Sequence, residues 1–345
     1  MHTSLTRRGI LAGAAGLAAI GGLSACTGNN TATPAASGSS SALTPIKANI
    51  GYIADYNGSV LFALANEKKL WEKYGLTPSL KSFDNGPLQI QALGTGDLDF
   101  GYIGPGAMWL PASGRAQVCA INAVGNADRV IAQAGITSMA DLKGKKVGVP
   151  EGTSGDMILR MALDKAGMTE SDIERVVMDP PTIVAAFSAK QIDGAGIWYP
   201  LISNIKKQVP DLVELAQNND FADKIAFVSA FVMQQDLGTK NKDLVMRMIK
   251  VFREANDLRA SDPAGAVKAA LTMLPGANEA SVTEDAKNVM QKTTAELDKL
   301  TTDGTISTWL KAMDASNVAS GKVKQDALVG PEKYYTGDLY VEAGK

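Results

Sequence analysis

Histidine is almost absent from this sequence. The 345 residues include one, His2, at the start of the chain. Serine and cysteine hydrolases of the common kinds use a histidine as general base, and many zinc sites use one as a ligand. Its absence from the rest of the chain excludes Ser-His-Asp catalysis, Cys-His catalysis and His-ligated zinc. We therefore expect no catalytic residue, no metal and no cofactor.

Long apolar runs are also scarce, and the one at the N-terminus indicates an export signal. Arg7-Arg8 precede a Gly/Ala-rich run from Ile10 to Leu23, which is too short for a membrane span and leads into Leu23-Ser24-Ala25-Cys26. This ending resembles a bacterial lipobox, in which Cys26 is acylated; the alternative is an ordinary cleaved signal with a chance cysteine. The arginine pair resembles a twin-arginine signal. We predict a signal peptide over 1–25 and a lipid-anchored protein at the outer face of the cytoplasmic membrane, on the periplasmic side or the cell surface.

The sequence after the predicted signal peptide contains no basic cluster and predicts no disulfide. Residues 26–46 are Ser/Thr/Ala/Gly/Pro-rich, which is typical of a flexible linker. Without Arg7-Arg8, 32 of the 34 basic residues face 36 acidic ones, a net charge near −4 that argues against nucleic acid. If Cys26 is lipidated, Cys119 has no partner for an intrachain disulfide. Its apolar surroundings, AQVCAINAV, predict a small buried residue rather than a nucleophile.

The chain after the linker contains a repeat. Segments 50–59 and 147–156 each predict a strand, a loop with glycine near its end and a helix, with matching glycines 97 positions apart. Segments 92–103 and 186–197 each place an aspartate before a buried strand, 94 positions apart. The alternative is a pattern common to all βα proteins. Four landmarks in one order favour a β-loop-α-β-α-β unit present twice, and roughly 300 residues suffice for two α/β lobes.

Four loops follow the carboxyl ends of the predicted strands, where open α/β sheets bind ligands. They read ADYNGS and GPGA in the first lobe, and EGTSGD and WYP in the second. Facing one another, they would line a cleft. The candidate ligand-binding residues in them are Asp55, Tyr56, Asn57, Gly58, Gly104, Pro105, Gly106, Thr153, Ser154, Gly155, Asp156 and Trp198.

The chemistry of these loops favours a small solute. Thr153 or Ser154 can cap the following helix, whose free N–H groups could hold an anion. No lysine follows the glycines, so the loop is not a phosphate-binding P-loop. With acids but no Lys or Arg in the loops, a singly charged anion such as a sulfonate or nitrate fits better than a multiply charged one. The acids could bind an amine on the same molecule, although Asp156, in a first helical turn, could instead serve the helix dipole. Tyr56 and Trp198 could stack on the solute.

Four stretches, in this order, resemble the solute-binding proteins of ABC importers for taurine, aliphatic sulfonates and nitrate. They are GYIADYNGSVLFALANEKKLWEKYGL, SFDNGPLQIQALGTGDLDFGYIGPGA, ITSMADLKGKKVGVPEGTSGDMILRMAL and DPPTIVAAFSAKQIDGAGIWYP. The resemblance covers about residues 47–260 well, and the family also includes binders of thiamine-precursor pyrimidines. It implies an α/β fold of the periplasmic-binding-protein type II, in which two lobes, each a mixed sheet flanked by helices, are joined by two hinge crossovers.

The resemblance also implies boundaries and partners. Lobe 1 would comprise 47–131 and 232–345, and lobe 2 would comprise 132–231, with crossings near 129–135 and 225–234. The C-terminal helices would return to lobe 1. Solute binding would close the hinge, and the closed monomer would present one edge of each lobe to a membrane permease with its ATPase.

One departure from the family bears on the solute. Taurine binders of this family carry an acid at the second crossover that holds the ammonium group, and the matching position here is Ser229. A sulfonate without an amine would then fit better, unless Asp55 takes over the amine. The expected function is capture of a small anionic solute, most simply an aliphatic sulfonate of the taurine type, with nitrate or a thiamine-precursor pyrimidine as alternatives.

Two other classes of function are weighed against an importer subunit. Pyrimidine-precursor synthases share the fold, but they need a cysteine-rich motif and histidine, which this chain lacks after its signal. A sensor or adhesion lipoprotein on the same fold is the second alternative. A neighbouring permease gene would separate it from the importer subunit.

Overall fold

The computed structural model describes residues 43–345, which form one compact unit. The predicted signal peptide, Cys26 and most of the predicted linker lie outside the described residues. The predicted α/β fold class is confirmed, because two mixed sheets are flanked by helices. Within 43–345, no helix has the length and apolar character needed to cross a membrane.

The strands and helices follow one another along the chain as the repeat predicts. The strands are β1 Ile46–Ile53, β2 Leu76–Phe83, β3 Phe100–Ile103, β4 Gln117–Gly125, β5 Asp128–Ala132, β6 Lys146–Val149, β7 Glu174–Val177, β8 Gly194–Trp198, β9 Val213–Gln217, β10 Val228–Met233 and β11 Val289–Gln291. The helices are α1 Tyr56–Glu67, α2 Leu70–Lys73, α3 Gly86–Thr95, α4 Trp109–Ala112, α5 Ser154–Lys165, α6 Pro180–Ser188, α7 Leu201–Lys206, α8 Leu237–Lys240, α9 Lys242–Ser261, α10 Pro263–Leu271, α11 Glu279–Ala286, α12 Thr294–Thr302, α13 Thr305–Ala319, α14 Pro331–Tyr334 and α15 Gly337–Glu342.

The two sheets share a strand order. The six-stranded sheet runs β11-β4-β10-β3-β1-β2, and the five-stranded sheet runs β7-β6-β8-β5-β9. In both, the first strand of the repeat pairs in parallel with the other two: β1 with β2 and β3, and β6 with β7 and β8. An antiparallel strand follows in both, β10 beside β3 and β5 beside β8. The repeat predicted from the sequence is therefore present in the structure.

The chain passes between the sheets at other residues than predicted. The first passage lies at residues 126–127, because Asp128–Ala132 already pairs with β8 and β9. The second occupies residues 218–227, because Val228–Met233 pairs with β3 and β4 of the six-stranded sheet. Both predicted passages, 129–135 and 225–234, were placed too late. At the first passage only two residues separate two largely buried strands, so no long polar segment marks where the chain changes sheets.

Local sequence explains how the helices facing the cleft begin. The side chains of Asp55, Asn85 and Asp179 each accept a hydrogen bond from a backbone N–H in the first turn of α1, α3 and α6. Such caps satisfy N–H groups that the helix itself leaves free. They also fix the carboxyl-edge loops after β1, β2 and β7. Part of the polar chemistry at the cleft is therefore required by the helices.

The core of the six-stranded half is aromatic. The rings of Phe231 and Phe252 stack with centroids 4.1 Å apart, and Phe62 packs on both. Cys119 lies fully buried in β4 as a free thiol. Burial raises the pKa of this thiol to about 12, which keeps it protonated and unreactive. The predicted structural role of Cys119 is confirmed.

Helix α5 lies against β8 at a point where side chains would not fit. A Cβ on Gly155 would lie 2.3 Å from the carbonyl oxygen of Gly196, and a Cβ on Gly196 would lie 2.2 Å from that of Gly155. Two glycines are therefore needed for this backbone contact. It places the start of α5 at the carboxyl edge of the sheet.

We expect Gly155→Ala to destabilise the protein by about 1–3 kcal/mol, because the added methyl forces α5 away from β8. Thermal or urea unfolding measures the change. Gly94→Ala is the matched control: it also lies in a helix, and its Cβ would meet nothing within 4 Å. The control should be neutral or stabilising by about 0.5–1 kcal/mol. Equal stability of the two variants would contradict this packing.

Candidate functional site

A cavity of about 50 Å³ lies between the carboxyl-edge loops of the two sheets. This is room for a few water molecules or a small chemical group, so the surrounding loops face one another closely. Both halves of the repeat contribute to it, as predicted. The cavity is lined by Ile53, Asp55, Asn57, Asn85, Gly86, Tyr102, Gly104, Pro105, Ala107, Gly125, Ala127, Asp128, Thr153, Ser154, Trp198, Tyr199, Asp285 and Val289.

The loop between β6 and α5 brings Thr153 and Ser154 to the cavity. Gly152, with φ of 73°, makes the turn. Thr153 is the N-cap residue, but its hydroxyl donates to the carbonyl of Pro150 at 2.6 Å instead of capping the helix. Ser154 is the first residue of α5. The first N–H groups of a helix have no partner within it and carry its positive dipole end.

Asn57 is held on the opposite wall by hydrogen bonds. The amide of Asn122 donates to Asn57 Oδ1 at 2.6 Å and to its carbonyl at 2.9 Å. Asn57 Nδ2 donates to Ser229 Oγ at 3.1 Å. Behind them, the fully buried Arg259 donates to Asn122 Oδ1 at 3.1 Å. Asn57 therefore has a fixed rotamer, and Arg259 is engaged behind the wall and does not line the cavity.

Three buried carboxyl groups line the cavity. Asp55, Asp128 and Asp285 are exposed by 7, 3 and 3%. One carboxylate oxygen of each is bound within the protein: Asp55 Oδ1 by the Gly58 N–H at 2.6 Å, Asp285 Oδ2 by the Tyr56 N–H at 2.9 Å, and Asp128 Oδ2 by an asparagine side-chain amide at 2.9 Å. No lysine or arginine is among the lining residues. The acids thus have spare acceptor capacity and no cation among the lining residues; the adjacent Arg129 lowers the pKa of Asp128 by its charge but donates hydrogen bonds to Glu214 and to backbone carbonyls.

Burial sets the ionisation of these acids. Desolvation, followed by the charge of Asp285, raises the pKa of Asp55 well above its usual value. Desolvation also raises the pKa of Asp285 to about 7, partly offset by the Tyr56 N–H. The pKa of Asp128 is raised by burial, against hydrogen bonds from Ser154 and Asn218. Asp285 therefore titrates near neutral pH, and burial beside it favours the protonated form of Asp55 as well.

Of the residues that we selected from the sequence, seven line the cavity. They are Asp55, Asn57, Gly104, Pro105, Thr153, Ser154 and Trp198. Gly58 and Gly155 are buried in backbone packing, and a Cβ on Gly106 would lie 2.1 Å from the backbone of Thr153. These three glycines shape the site without being among its lining residues. Tyr56 is buried in the core and reaches the site only through its backbone N–H.

Asp156 and Ser229 also lie away from the cavity. Asp156 is fully buried in an ion-pair cluster with Arg160, Arg175 and Lys322. Its carboxylate pairs with these three cations and does not line the cavity. The predicted contact between Asp156 and an amine there is therefore wrong. Ser229 accepts the bond from Asn57 and lies behind the wall. Ser229 therefore touches a residue that lines the cavity but does not line it itself.

Several lining residues were not selected from the sequence. Asn85 and Tyr102 follow the same rule as the selected loops, because they lie at or after the carboxyl ends of β2 and β3. Asp128 lies at the first passage, which we placed too late. Asp285 reaches the site from α11, 229 positions from its partner Tyr56. Its neighbours in sequence give no signal for this contact.

Comparison with known proteins places the chain among solute-binding proteins. Residues 41–274 match the NMT1-like family. A protein of Brucella abortus (strain 2308), named provisionally as a binding protein, is 52% identical over 295 residues, covering 86% of this chain and 92% of its own length. The taurine-binding periplasmic protein of Escherichia coli (strain K12) is 26% identical over 192 residues, 55% of this chain and 59% of that protein.

The fold leads to the same group of proteins. The crystal structure of the periplasmic aliphatic sulphonate binding protein of Escherichia coli matches with a TM-score of 0.66 and 22% identity, covering 86% of this chain and 99% of that one. The sequence-based expectation of a solute-binding protein, rather than an enzyme, is confirmed by this group. The chain belongs to the NMT1-like family, a family of periplasmic solute-binding proteins.

Proposed function

We propose that this protein is the solute-binding subunit of an ABC importer and that its solute presents a positively charged nitrogen to the carboxyl groups of Asp55, Asp128 and Asp285. The observation that carries the proposal is the lining of the cavity by these three acids without a basic residue. The family supports a small solute and a permease as partner. Export, lipidation at Cys26 and a monomeric state are part of the proposal, as predicted from the sequence.

The magnitudes favour an ammonium group over a bare anion. Two unit charges 4 Å apart interact by about 4 kcal/mol at an effective dielectric constant of about 20. A helix N-terminus contributes about 0.3–1 kcal/mol to an anion, and about 2 kcal/mol in the best geometries. One ionised aspartate therefore outweighs the start of α5 at Ser154. A bare sulfonate or nitrate would enter against that charge.

A zwitterion of the taurine type satisfies both features of the cavity. Its ammonium would bind the acids, and its sulfonate would lie at Ser154 and the first N–H groups of α5. The resemblance to taurine binders implies an acid for the amine at Ser229, which here lies behind the wall; Asp55 lines the cavity itself and would take over the amine. An aminoalkanesulfonate is therefore our first candidate, in place of a sulfonate without an amine.

The aromatic lining favours a second candidate. Tyr102, Trp198 and Tyr199 line the same cavity as the acids. A flat nitrogen heterocycle with an exocyclic amine could stack on such rings and donate hydrogen bonds to the carboxylates. An aminopyrimidine meets this description, whereas nitrate meets neither the charge nor the aromatic feature. The two candidates differ in whether a sulfonate group is needed.

Taurine, methanesulfonate, nitrate and an aminopyrimidine separate these possibilities in a thermal-shift and calorimetry series. We expect taurine or the aminopyrimidine to raise Tm with concentration, and the two bare anions to have no effect. For taurine, affinity should rise between pH 6 and pH 8, because the acids lose a proton while the ammonium keeps its own. Binding of methanesulfonate with an affinity that falls as pH rises would overturn the proposal.

Asp55→Asn tests the role of the acids in that series. It keeps the shape of the cap and removes a charge, and we expect the affinity for the bound amine to fall about tenfold or more. Asp211→Asn is the control, since Asp211 is exposed and does not line the cavity. Equal affinities for the two variants would assign Asp55 to capping alone.

Asp285→Asn should stabilise the protein at high pH. The pKa of an aspartate in the unfolded chain is about 4, and burial raises the pKa of Asp285 in the folded protein to about 7. The folded state holds this proton more tightly, so ionisation costs stability increasingly from about pH 4 to about pH 7. We expect a higher Tm than wild type at pH 8 and no difference near pH 4. A difference independent of pH would contradict the raised pKa; Asp211→Asn is again the control.

A further inference from the structure

Lys322 is anchored in the half of the molecule that contains the six-stranded sheet. It follows α13, which packs on α4 and α14, and α14 packs on β4. Gly321, with φ of 71°, ends the helix, and the Lys322 N–H donates to the carbonyl of Asn317 at 2.9 Å. The backbone of Lys322 is therefore fixed by the end of α13. The position from which its side chain extends is fixed as well.

The ammonium group of Lys322 contacts the other half. Lys322 Nζ lies 2.7 Å from Asp156 Oδ2 and 3.4 Å from Glu151 Oε1. Asp156 is on α5, which packs on β5 and β8 of the five-stranded sheet. The side chains of Lys322 and Asp156 are 17 and 1% exposed. This ion pair thus bridges the two halves, with Asp156 buried and the Lys322 side chain still in partial contact with solvent and its ions.

The pair can separate without leaving an unpaired buried charge. Asp156 Oδ1 also lies 3.1 Å from Arg160 Nε and 3.1 Å from Arg175 Nη2, both in its own half. Loss of one partner from a buried pair is strongly destabilising when nothing replaces it. Here two arginines stay with Asp156, while Lys322 can move into water. The arrangement suits a contact that breaks and reforms.

The half of the molecule that contains the six-stranded sheet contacts the loop 150–156 at two further points. The indole N–H of Trp109 donates to the Gly152 carbonyl at 3.2 Å. Gly106 approaches Thr153 so closely that a Cβ would lie 2.1 Å from its backbone. Thr153 and Ser154 of this loop line the cavity. The contacts that join the halves therefore also position the wall against which a solute would lie.

We propose that Lys322 is a closure latch, which raises the population of the closed form by pairing with Asp156 across the cleft and so tightens solute binding without touching the solute. The inference rests on the proposed interlobe binding site but not on the identity of the solute. For a protein that binds tightly only when closed, the apparent Kd is the intrinsic Kd divided by the fraction that is closed. Lys322 is on this account a positioning residue.

Spin labels across the cleft test the latch without any solute. The full-length chain with Cys26→Ala carries labels at Leu88→Cys and Val177→Cys, two exposed positions, one in each half; the buried thiol of Cys119 stays unlabelled. Pulsed double electron–electron resonance then gives the distance distribution. We expect Lys322→Gln to lower the short-distance population about three- to tenfold, and Lys322→Arg to preserve it.

Lys324→Gln is the matched control, because Lys324 is exposed two positions further on and should leave the distribution unchanged. Raising the salt concentration should lower the short-distance population in the wild type and have less effect in Lys322→Gln. This titration decides the matter even if Lys322→Gln folds poorly. A wild-type distribution without a short-distance population, or one that neither salt nor Lys322→Gln alters, would overturn the latch. Since no solute is added, the result is independent of the amine proposal.

Discussion

The burial of three aspartates around one small cavity is the constraint on which the rest of the site depends. An acid removed from water needs hydrogen bonds or a cation, or it takes up a proton. Asp55 and Asp285 each receive one backbone N–H, which fixes their position and leaves the other oxygen free. The raised pKa values of both show that this compensation is incomplete. On the proposed function, the solute supplies the cation that these acids lack.

The residues that surround these acids are held in place by helix caps and hydrogen bonds. Asp55 caps α1, so its presence stabilises the helix even while its charge is unfavourable. Asn57 is fixed by Asn122, and Asn122 by the buried guanidinium of Arg259. The two terminal nitrogens of Arg259 donate hydrogen bonds to Asn122 and Asn256 and not to a group in the cavity. Because those bonds hold Arg259 behind the wall, it supports the site without neutralising it.

The sequence predicts the repeat and the loops that follow β1 and β6, because both follow local rules. Glycines, caps and apolar runs recur in register, so β1, β6 and their loops, including Ser154, are readable. Asp128 and Asp285 are not, for a different reason in each case. Asp128 follows a passage of only two residues between two largely buried strands, which is too short to be marked in the sequence. Asp285 enters through a long-range contact between α11 and the start of α1, and only the packed fold brings these together.

Asp156 shows how the loop 150–156 combines two roles. Its sequence position, in the first turn of α5, is equally suited to serve the helix dipole, to bind a solute or to pair with cations. The structure resolves this by placing three cations around it, one of them from the other half. On the proposed latch, closing the cleft adds Lys322 to the two arginines that already hold Asp156 and brings Thr153 and Ser154 to the cavity in the same motion. A solute in the cavity and the ion pair outside it would then stabilise the same closed arrangement, so each would strengthen the other by the same free energy.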